Sequence, residues 1–207
     1  MRKFIISIDA GTTSNRSILF DLKGRPVFSS QKEFTQYFPK SGWVEHNPEE
    51  IWKTTVKTLK DVIQKAKKLR GEILNIGITN QRETTVLWDK RTGKPVYNAI
   101  VWQDRRQEEF CAKLRKQNKD TMIFNKTGLL IDSYFSGTKI KWILDNVPKA
   151  KKLMSSNQLL FGTIDSFLIW RFTKGKVHAT DATNASRTMI YNITSNRWDD
   201  TILKLLK

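Results

Sequence analysis

The chain has 207 residues, of which 39% are hydrophobic and 11% aromatic, enough for the packed core of one domain of ordinary size. Its formal net charge of +17 raises nucleic-acid binding as a hypothesis, but the basic residues are spread along the chain and no nucleic-acid-binding motif is recognisable. No apolar run reaches the length of a membrane span, the N-terminus lacks a signal-peptide pattern, and one cysteine, Cys111, allows neither an internal disulfide nor a cysteine-rich metal site. A reducing cytoplasm is the expected location.

The first thirty residues predict a three-stranded antiparallel meander. Residues 4–8, 17–20 and 26–29 are apolar or β-branched, as strands are. Polar turns at 9–13 and 22–25 separate them, which is the spacing of successive hairpins.

The next pattern predicts a helix with a defined beginning and end. Asn47 is a suitable N-cap, Pro48 suits the first helical position, and Glu50 lies three residues after the cap. Gly71 is placed to end the helix. Apolar residues recur at steps of three and four, which predicts one buried face made of Trp52, Val56, Leu59, Ile63 and Ala66.

The remaining sequence alternates strand and helix patterns. Residues 73–78 predict a buried strand, and residues 84–88 and 98–102 predict two more. Helices are expected near 105–116, 138–146 and 164–172, and residues 199–207 resemble a helix that the chain leaves unfinished. This alternation predicts an α/β fold without selecting one α/β architecture.

The turn between the first two strands, residues 9–16, suits phosphate binding. Gly11 lets backbone amides approach an anion closely, and Arg16 supplies a planar cation that matches phosphate oxygens. Asp9 is placed to hold Mg²⁺ through water. Hydroxyl donors come from Thr12, Thr13 and Ser14. The alternative is an ordinary polar hairpin whose hydroxyls satisfy only its own amides.

This turn resembles the first phosphate loop of the FGGY carbohydrate kinases, which has the pattern Asp-x-Gly-Thr-Thr-Ser-x-Arg. Ala10 departs from the glycerol kinases of this family, which usually carry Gln there. The resemblance implies an actin-like ATPase (ribonuclease H-like) fold and the cofactors ATP and Mg²⁺. It also implies ATP-phosphate contacts from Thr12, Thr13, Ser14 and Arg16.

A second segment, residues 78–84, suits a small polyol. Glu83 accepts hydrogen bonds from hydroxyl groups and Arg82 donates them, so the adjacent pair can recognise two neighbouring hydroxyls. The alternative is a structural ion-pair network at the end of a sheet. The segment resembles the signature of the glycerol kinases within the FGGY family, in which this Arg–Glu pair binds glycerol.

Two aromatic residues extend the resemblance. Trp102 is similar to the family tryptophan that packs on the carbon face of glycerol, although a lone aromatic residue at a strand end more often belongs to a core. Tyr134 lies in residues 132–142, which match an FGGY signature region, at the position whose phenol contacts substrate. Ser133 replaces a proline common in relatives, which predicts a looser turn before Tyr134. Lys139 is interpreted as structural or surface-exposed.

Several other polar residues are candidates for a catalytic base or a ligand, but a structural interpretation is favoured for each. Asp165 suits a helix start, and Asp181 suits a hydrogen-bonded turn. His46 and His178 have no metal-ligand spacing.

The resemblance covers essentially all 207 residues, yet a glycerol kinase is much longer. It implies one N-terminal FGGY domain over residues 1–207, apparently incomplete at its C-terminal end, with the C-terminal domain absent. No catalytic residue is expected in this chain, since the catalytic aspartate of the family lies in a Gly-Asp-Gln motif beyond residue 207.

Three functions follow as hypotheses. The first is ATP-dependent phosphorylation of glycerol to sn-glycerol 3-phosphate in glycerol catabolism, with this chain inactive alone. The second is the same chemistry on another sugar or polyol. The third is a non-catalytic fragment of a split or decayed kinase gene. Expected partners are glycerol, a complementary C-terminal kinase domain and another copy of the chain, but neither nucleic acid nor a membrane.

Overall fold

A computed structural model describes residues 2–206; Met1 and Lys207 lie outside the described residues. These residues divide into two compact units. The first contains the chain up to Gln36 together with His46–Gln81, and the second contains Tyr37–Glu45 and the chain from Arg82 onward. None of the helices between residues 2 and 206 is both long enough and apolar enough to cross a membrane.

Strands and helices alternate along the chain, as the α/β prediction requires. The strands are β1 (Arg2–Ala10), β2 (Ser14–Asp21), β3 (Pro26–Glu33), β4 (Gln36–Tyr37), β5 (Glu45–His46), β6 (Gly71–Asn80), β7 (Val86–Asp89), β8 (Ala99–Ile100), β9 (Leu159–Gly162), β10 (Tyr191–Asn192) and β11 (Arg197–Trp198). The helices are α1 (Pro48–Lys68), α2 (Glu108–Lys116), α3 (Asp120–Thr127), α4 (Ser136–Asn146), α5 (Pro148–Ser155), α6 (Ile164–Phe172), α7 (Ala182–Ala185) and α8 (Asp200–Leu205), and a 3₁₀ turn spans Ser186–Thr188.

The first unit is built on a four-stranded sheet in the order β3-β2-β1-β6. β2 is antiparallel to both β1 and β3, so the predicted meander is confirmed. β6 runs parallel to β1, which is possible because α1 provides the long crossover that a parallel pair needs.

Helix α1 begins where the sequence predicts. The side chain of Asn47 accepts a hydrogen bond from the backbone N–H of Glu49 at 2.9 Å, and Pro48 is the first helical residue. The predicted buried face is wrong in part, because Trp52, Val56 and Ile63 are only half-buried. The buried face is instead made of Pro48, Ile51, Thr55, Thr58, Leu59, Val62 and Ala66.

Buried polar contacts explain why α1 buries a different face from the predicted one. The Thr58 hydroxyl lies 2.9 Å from that of Ser17 on β2, and both residues are fully buried. The buried Asn15 side chain donates to the carbonyl of Ile51 at 2.9 Å and to the Thr54 hydroxyl at 2.6 Å. Polar residues can therefore occupy the interior because their partners lie on the facing strand.

Strand β6 exists as predicted, but the prediction that it is buried is wrong. Leu74 is 47% exposed and Ile76 is 42% exposed, and Ile5 on the neighbouring β1 is 39% exposed. β6 is an edge strand of the sheet, and α1 packs chiefly over β2 and β3. Part of the apolar sequence of β6 therefore has no covering element among residues 2–206.

The second unit contains helices α2 to α8 and several short strands. β7 pairs antiparallel with β9, and Trp88 of β7 packs edge-on against Phe167 of α6. α6 has the predicted bounds, whereas α2 begins at Glu108 and α4 at Ser136. The sequence analysis missed α3 and α5. One core cluster consists of Cys111, Leu114, Ile123, Ile131, Phe135 and Met189.

The last helix, α8, begins as the sequence predicts. Asp199 caps it by accepting hydrogen bonds from the N–H groups of Thr201 and Ile202. Lys126 donates to both carboxylate oxygens of Asp199 at 2.9 Å. Hydrogen bonds from Asn192, Lys126 and the Ile202 amide outweigh burial and lower the pKa of Asp199 to about 2. The helix was predicted to continue to the end of the chain, but it ends at Leu205, and the Leu206 N–H donates to the Ile202 carbonyl at 3.1 Å. Lys207 lies outside the described residues.

Candidate functional site

The predicted phosphate turn connects β1 to β2 in the first unit. Asp9 pairs with Arg16 across the two strands, and the Gly11 N–H donates to the Ser14 carbonyl at 3.0 Å. A β-carbon at Gly11 would lie 3.1 Å from that carbonyl oxygen, which is a tight approach. Thr13 is exposed, and Thr12 and Ser14 are half-buried. The hydroxyl-bearing residues of the turn thus remain partly accessible.

Two glutamine side chains hold the backbone of this turn. The amide of Gln81 donates to the Gly11 carbonyl at 3.0 Å, and the amide of Gln36 donates to the Thr12 carbonyl at 3.1 Å. The ring of His46 lies between these glutamines, 2.6 Å from Gln36 and 3.3 Å from Gln81. Burial lowers the pKa of His46 to about 4, so its ring is neutral at pH 7 and serves as a structural link. The carbonyls held by these contacts fix the shape of the turn.

Asp9 and Arg16 form an ion pair at 3.1 Å. Their side chains are 37% and 46% exposed, so the pair is of the weak surface type and Arg16 can exchange its partner for a phosphate at low cost. Among residues 2–206 there is no group of three or more His, Cys, Asp or Glu side chains that could enclose a metal ion. A single accessible carboxylate still fits Mg²⁺, which usually keeps several waters and binds one or two carboxylates together with substrate phosphates.

The predicted polyol residues Glu83, Trp102 and Tyr134 lie in the second unit. Glu83 has a left-handed backbone with φ of 63° and is 2% exposed. Its carbonyl accepts hydrogen bonds from the hydroxyls of Ser136 and Thr85, both at 3.0 Å. A left-handed backbone is uncommon for a non-glycine residue, and these two hydrogen bonds help to hold Glu83 in it.

The carboxylate of Glu83 pairs with Arg187 and not with its neighbour Arg82. The Arg187 Nε–H donates to Glu83 Oε1 at 2.6 Å. Arg82 is exposed, and none of the side-chain hydrogen bonds or ion pairs found within residues 2–206 involves it. The side chain of Arg82 is thus accessible to a ligand, whereas Glu83 is held by a residue 104 positions away.

Two aromatic rings lie together in this unit. The ring centroids of Trp102 and Tyr134 are 5.5 Å apart with an interplanar angle of 60°, and both residues are half-buried. The guanidinium of Arg187 lies 5.7 Å from the Tyr134 ring centroid. Glu83, Arg187, Tyr134 and Trp102 thus form a connected group, which is called the polyol cluster below.

Of the two interpretations given for Lys139, the structure agrees with the structural one and not with surface exposure. Its side chain is fully buried, and its Nζ donates to the carbonyls of Ser133 at 2.5 Å, Tyr134 at 2.6 Å and Phe135 at 3.3 Å. Burial lowers the pKa of Lys139 to about 7, although Asp104 and other nearby acidic residues favour the charged form. Lys139 therefore fixes the turn that carries Tyr134.

The same turn has further supports that bear on Ser133. The Ser133 hydroxyl lies 3.3 Å from the guanidinium of Arg105 and donates to Glu108 at 3.4 Å. The Asp132 carboxylate accepts from the backbone N–H of Tyr134 at 2.7 Å. These contacts hold the turn without the rigidity of a proline, and the loosening expected at Ser133 stays a prediction.

The remaining candidate bases have structural contacts. The Asp165 carboxylate accepts from the hydroxyls of Thr163 and, at 2.7 Å, Thr180. His178 bonds the carbonyl of Phe161 at 2.7 Å. Asp181 caps α7 by accepting from the Asn184 N–H at 2.9 Å. The structure is therefore consistent with the structural interpretation of all three.

Arg187 and Lys139 are the site residues to which the sequence analysis gave no functional role. Lys139 lies within residues 132–142, which match an FGGY signature region, so its place in that region was the available signal. Their contacts with Glu83 and with the Tyr134 turn depend on chain segments that are distant in sequence, and no local pattern reveals them.

Comparison with known proteins identifies the family. A sequence model of the FGGY family of carbohydrate kinases, N-terminal domain, matches residues 4–207. A glycerol kinase of Malacoplasma penetrans is 60% identical over 206 residues, which cover 100% of this chain and 41% of that protein. The chain therefore spans about two fifths of the length of such relatives.

Solved structures agree with this match. The crystal structure of Plasmodium falciparum glycerol kinase with ADP has a TM-score of 0.94 and 38% identity, covering 99% of this chain and 41% of that one. Gluconate kinase from Lactobacillus acidophilus gives a TM-score of 0.86 at 26% identity, covering 100% of this chain and 40% of that one. The expected actin-like ATPase (ribonuclease H-like) fold is thereby confirmed. The chain belongs to the FGGY family of carbohydrate kinases and corresponds to an N-terminal portion of its members.

Proposed function

We propose that this chain carries the glycerol-binding part of an ATP-dependent glycerol kinase, which converts ATP and glycerol to ADP and sn-glycerol 3-phosphate. The observation that carries the proposal is the buried carboxylate of Glu83, which Arg187 links to the ring of Tyr134 and, through that ring, to Trp102. A carboxylate accepts hydrogen bonds from hydroxyls, and aromatic rings cover the carbon face of a small polyol. The relatives at 55–60% identity that are named glycerol kinases support this substrate.

Each predicted residue has a role in this proposal. Arg82 donates to a glycerol hydroxyl, Glu83 accepts from one, Trp102 packs on the carbon chain, and the Tyr134 phenol contacts a hydroxyl. Such groups act by fixing the position of the alcohol that attacks the phosphoryl group.

The phosphate turn of the first unit binds the nucleotide phosphates in this proposal. The contacts come from Thr12, Thr13, Ser14 and Arg16. Asp9 is the residue that would hold Mg²⁺, which would neutralise charge on the phosphates. The ADP named for the Plasmodium falciparum structure supports a nucleotide ligand for this fold.

We expect the 207-residue chain to bind glycerol but not to phosphorylate it alone. The family resemblance assigns the catalytic aspartate to sequence beyond residue 207, and general-base assistance contributes about 100- to 10,000-fold to such a rate. Activity would then require a complementary C-terminal domain, supplied by another chain or by a longer form of this one.

Glycerol binding and turnover can be measured separately. The protein is labelled with 3-fluorotyrosine and titrated with glycerol while the ¹⁹F spectrum of its four tyrosines is recorded. Glu83→Ala should weaken binding by about 10- to 100-fold, because a hydrogen bond to a charged group is lost. Asp145→Ala removes an exposed carboxylate of the same unit and should leave binding unchanged. Failure of the unsubstituted chain to bind glycerol, or equal effects of the two substitutions, would contradict the glycerol site.

Turnover is measured as ATP-dependent formation of glycerol 3-phosphate, with an intact glycerol kinase as the positive control. Product formed by the purified chain, and abolished by Glu83→Ala, would refute the proposal that the chain is inactive alone. A folded chain that binds glycerol without turning it over is the expected result.

The second candidate is a kinase for another sugar or polyol. The likeness to gluconate kinase, at 26% identity, keeps this candidate open. Titration with gluconate, xylulose and ribulose distinguishes the two, since preferential binding of any of these over glycerol would favour the second candidate.

A further inference from the structure

We propose that Arg187 is a positioning residue of the polyol cluster, which aligns Glu83 with Tyr134 and thereby sets the selectivity for adjacent hydroxyls. This inference rests on the proposed glycerol site. It assigns a role to a residue that lies outside the predicted contacts and comes from a different part of the chain.

The first support is the bond between Arg187 and Glu83. It joins Nε to Oε1 at 2.6 Å, and the Glu83 side chain is 2% exposed, whereas that of Arg187 is 29% exposed. A buried carboxylate is stable as an anion only when it is paired and hydrogen-bonded. Since Nε engages Oε1, we assign Oε2 to the substrate hydroxyl.

The second support is the position of Arg187 beside the aromatic residues. Its guanidinium lies 5.7 Å from the ring centroid of Tyr134 and 5.0 Å from that of Phe135. A guanidinium over an aromatic face is held by cation–π attraction. One rigid planar group therefore contacts both the acceptor, Glu83, and the aromatic residue that bears the phenol.

The third support is the rigidity of the segment that carries Arg187. The 3₁₀ turn Ser186–Thr188 follows α7, and the Thr188 hydroxyl donates to the Ala185 carbonyl at 2.7 Å. Met189 has a left-handed backbone with φ of 61° and is fully buried in the core cluster that includes Phe135. The position of Arg187 is thus set by the core and not by a loose loop.

A positioning role predicts an effect on selectivity as well as on affinity. Glycerol carries its three hydroxyls on adjacent carbons, and in the proposed site Glu83 and the Tyr134 phenol contact two neighbouring ones. Propane-1,3-diol keeps both terminal hydroxyls but has no two hydroxyls on adjacent carbons. If Arg187 is removed, Glu83 is no longer aligned with Tyr134, so the preference for glycerol over propane-1,3-diol should decrease.

The test uses the 3-fluorotyrosine-labelled chain, with the Tyr134 resonance assigned by Tyr134→Phe. Arg187→Gln should shift this resonance and weaken glycerol binding at least tenfold, while Arg187→Lys, which keeps the charge but not the planar fork, should recover part of the affinity. Arg171→Gln is the matched control, since Arg171 also lies over an aromatic ring, 5.5 Å from the Phe167 centroid. Circular dichroism checks that each variant is folded, and Arg187→Lys replaces Arg187→Gln in every comparison if the latter does not fold.

The outcomes separate this inference from the proposed function. If the unsubstituted chain binds glycerol and the Arg187 variant keeps the same affinity and the same preference over propane-1,3-diol, the positioning role is wrong. If the unsubstituted chain does not bind glycerol, the proposed function fails for this chain. The ¹⁹F resonance of Tyr134 then decides the inference. If Arg187→Gln leaves this resonance unshifted, Arg187 does not align Glu83 with Tyr134; a shifted resonance supports the alignment.

Discussion

Replacing Arg106 by glutamine should destabilise the second unit more than any exposed substitution. The Arg106 side chain is 1% exposed, and its Nη2 lies 2.8 Å from both Asp104 Oδ2 and Glu45 Oε1. Its Nε donates to both oxygens of Asp104, at 2.9 and 3.1 Å. The guanidinium also lies 3.8 Å from the ring centroid of Trp43 and 4.6 Å from that of Trp142.

The expected loss follows from the charges that remain. Arg106→Gln leaves the carboxylates of Asp104 and Glu45, 0% and 3% exposed, without their ion-pair partner. Breaking a buried ion pair from one side costs about 3–5 kcal/mol. The Val44 N–H still donates to Asp104 at 2.7 Å and the Tyr97 hydroxyl still donates to Glu45 at 2.7 Å. Each carboxylate therefore keeps a hydrogen-bond donor. We therefore expect a loss of about 3–4 kcal/mol in the free energy of unfolding.

Urea denaturation followed by tryptophan fluorescence and circular dichroism measures this loss. Arg25→Gln is the matched control, because its ion pair with Asp21 is exposed and should contribute less than about 1 kcal/mol. Combining Arg106→Gln with Asp104→Asn should recover part of the loss, since one unpaired charge is removed. A change within about 1 kcal/mol for Arg106→Gln would refute the reasoning, because it would mean that the network is not desolvated.

Two further predictions concern buried titratable groups. Burial lowers the pKa of His46 to about 4, whereas an unfolded imidazole titrates near 6.5, so the unfolded state gains the proton first on acidification. The contribution of His46 to the free energy of unfolding should be constant above about pH 6.5 and should fall by up to about 3 kcal/mol towards pH 4. If His46→Gln lost stability equally steeply over this range, the expectation would be wrong. Burial raises the pKa of Cys111 to about 12. Its thiol should therefore react slowly with Ellman's reagent at pH 8 in the folded protein and rapidly in urea. A rapid reaction without urea would show that the thiol is accessible.

Local sequence patterns predicted the parts of the fold that depend on neighbours in the chain. The meander from β1 to β3, the cap at Asn47 and the bounds of α6 are set by alternation, capping and turn chemistry within a few residues. The helices α3 and α5 were missed because short helices have weak periodicity and depend on packing for their stability.

Burial was predicted less well than secondary structure. The apolar pattern placed Trp52, Val56 and Ile63 inside, yet α1 buries Thr55 and Thr58. The Thr58 hydroxyl has a partner on β2, the hydroxyl of Ser17. Hydrophobicity alone does not reveal which face of a helix a sheet will cover. The same limit explains β6, which is apolar but only partly covered.

The candidate site divides in the same way. The phosphate turn and the polyol segment are recognisable in the sequence, because each is a short motif of neighbouring residues. The pairing of Glu83 with Arg187, 104 residues away, and the buried position from which Lys139 holds the Tyr134 turn become visible only in the folded chain. The physical reason is that a motif encodes chemistry locally, whereas the partner that orients and neutralises a buried charge is chosen by the packing of distant segments.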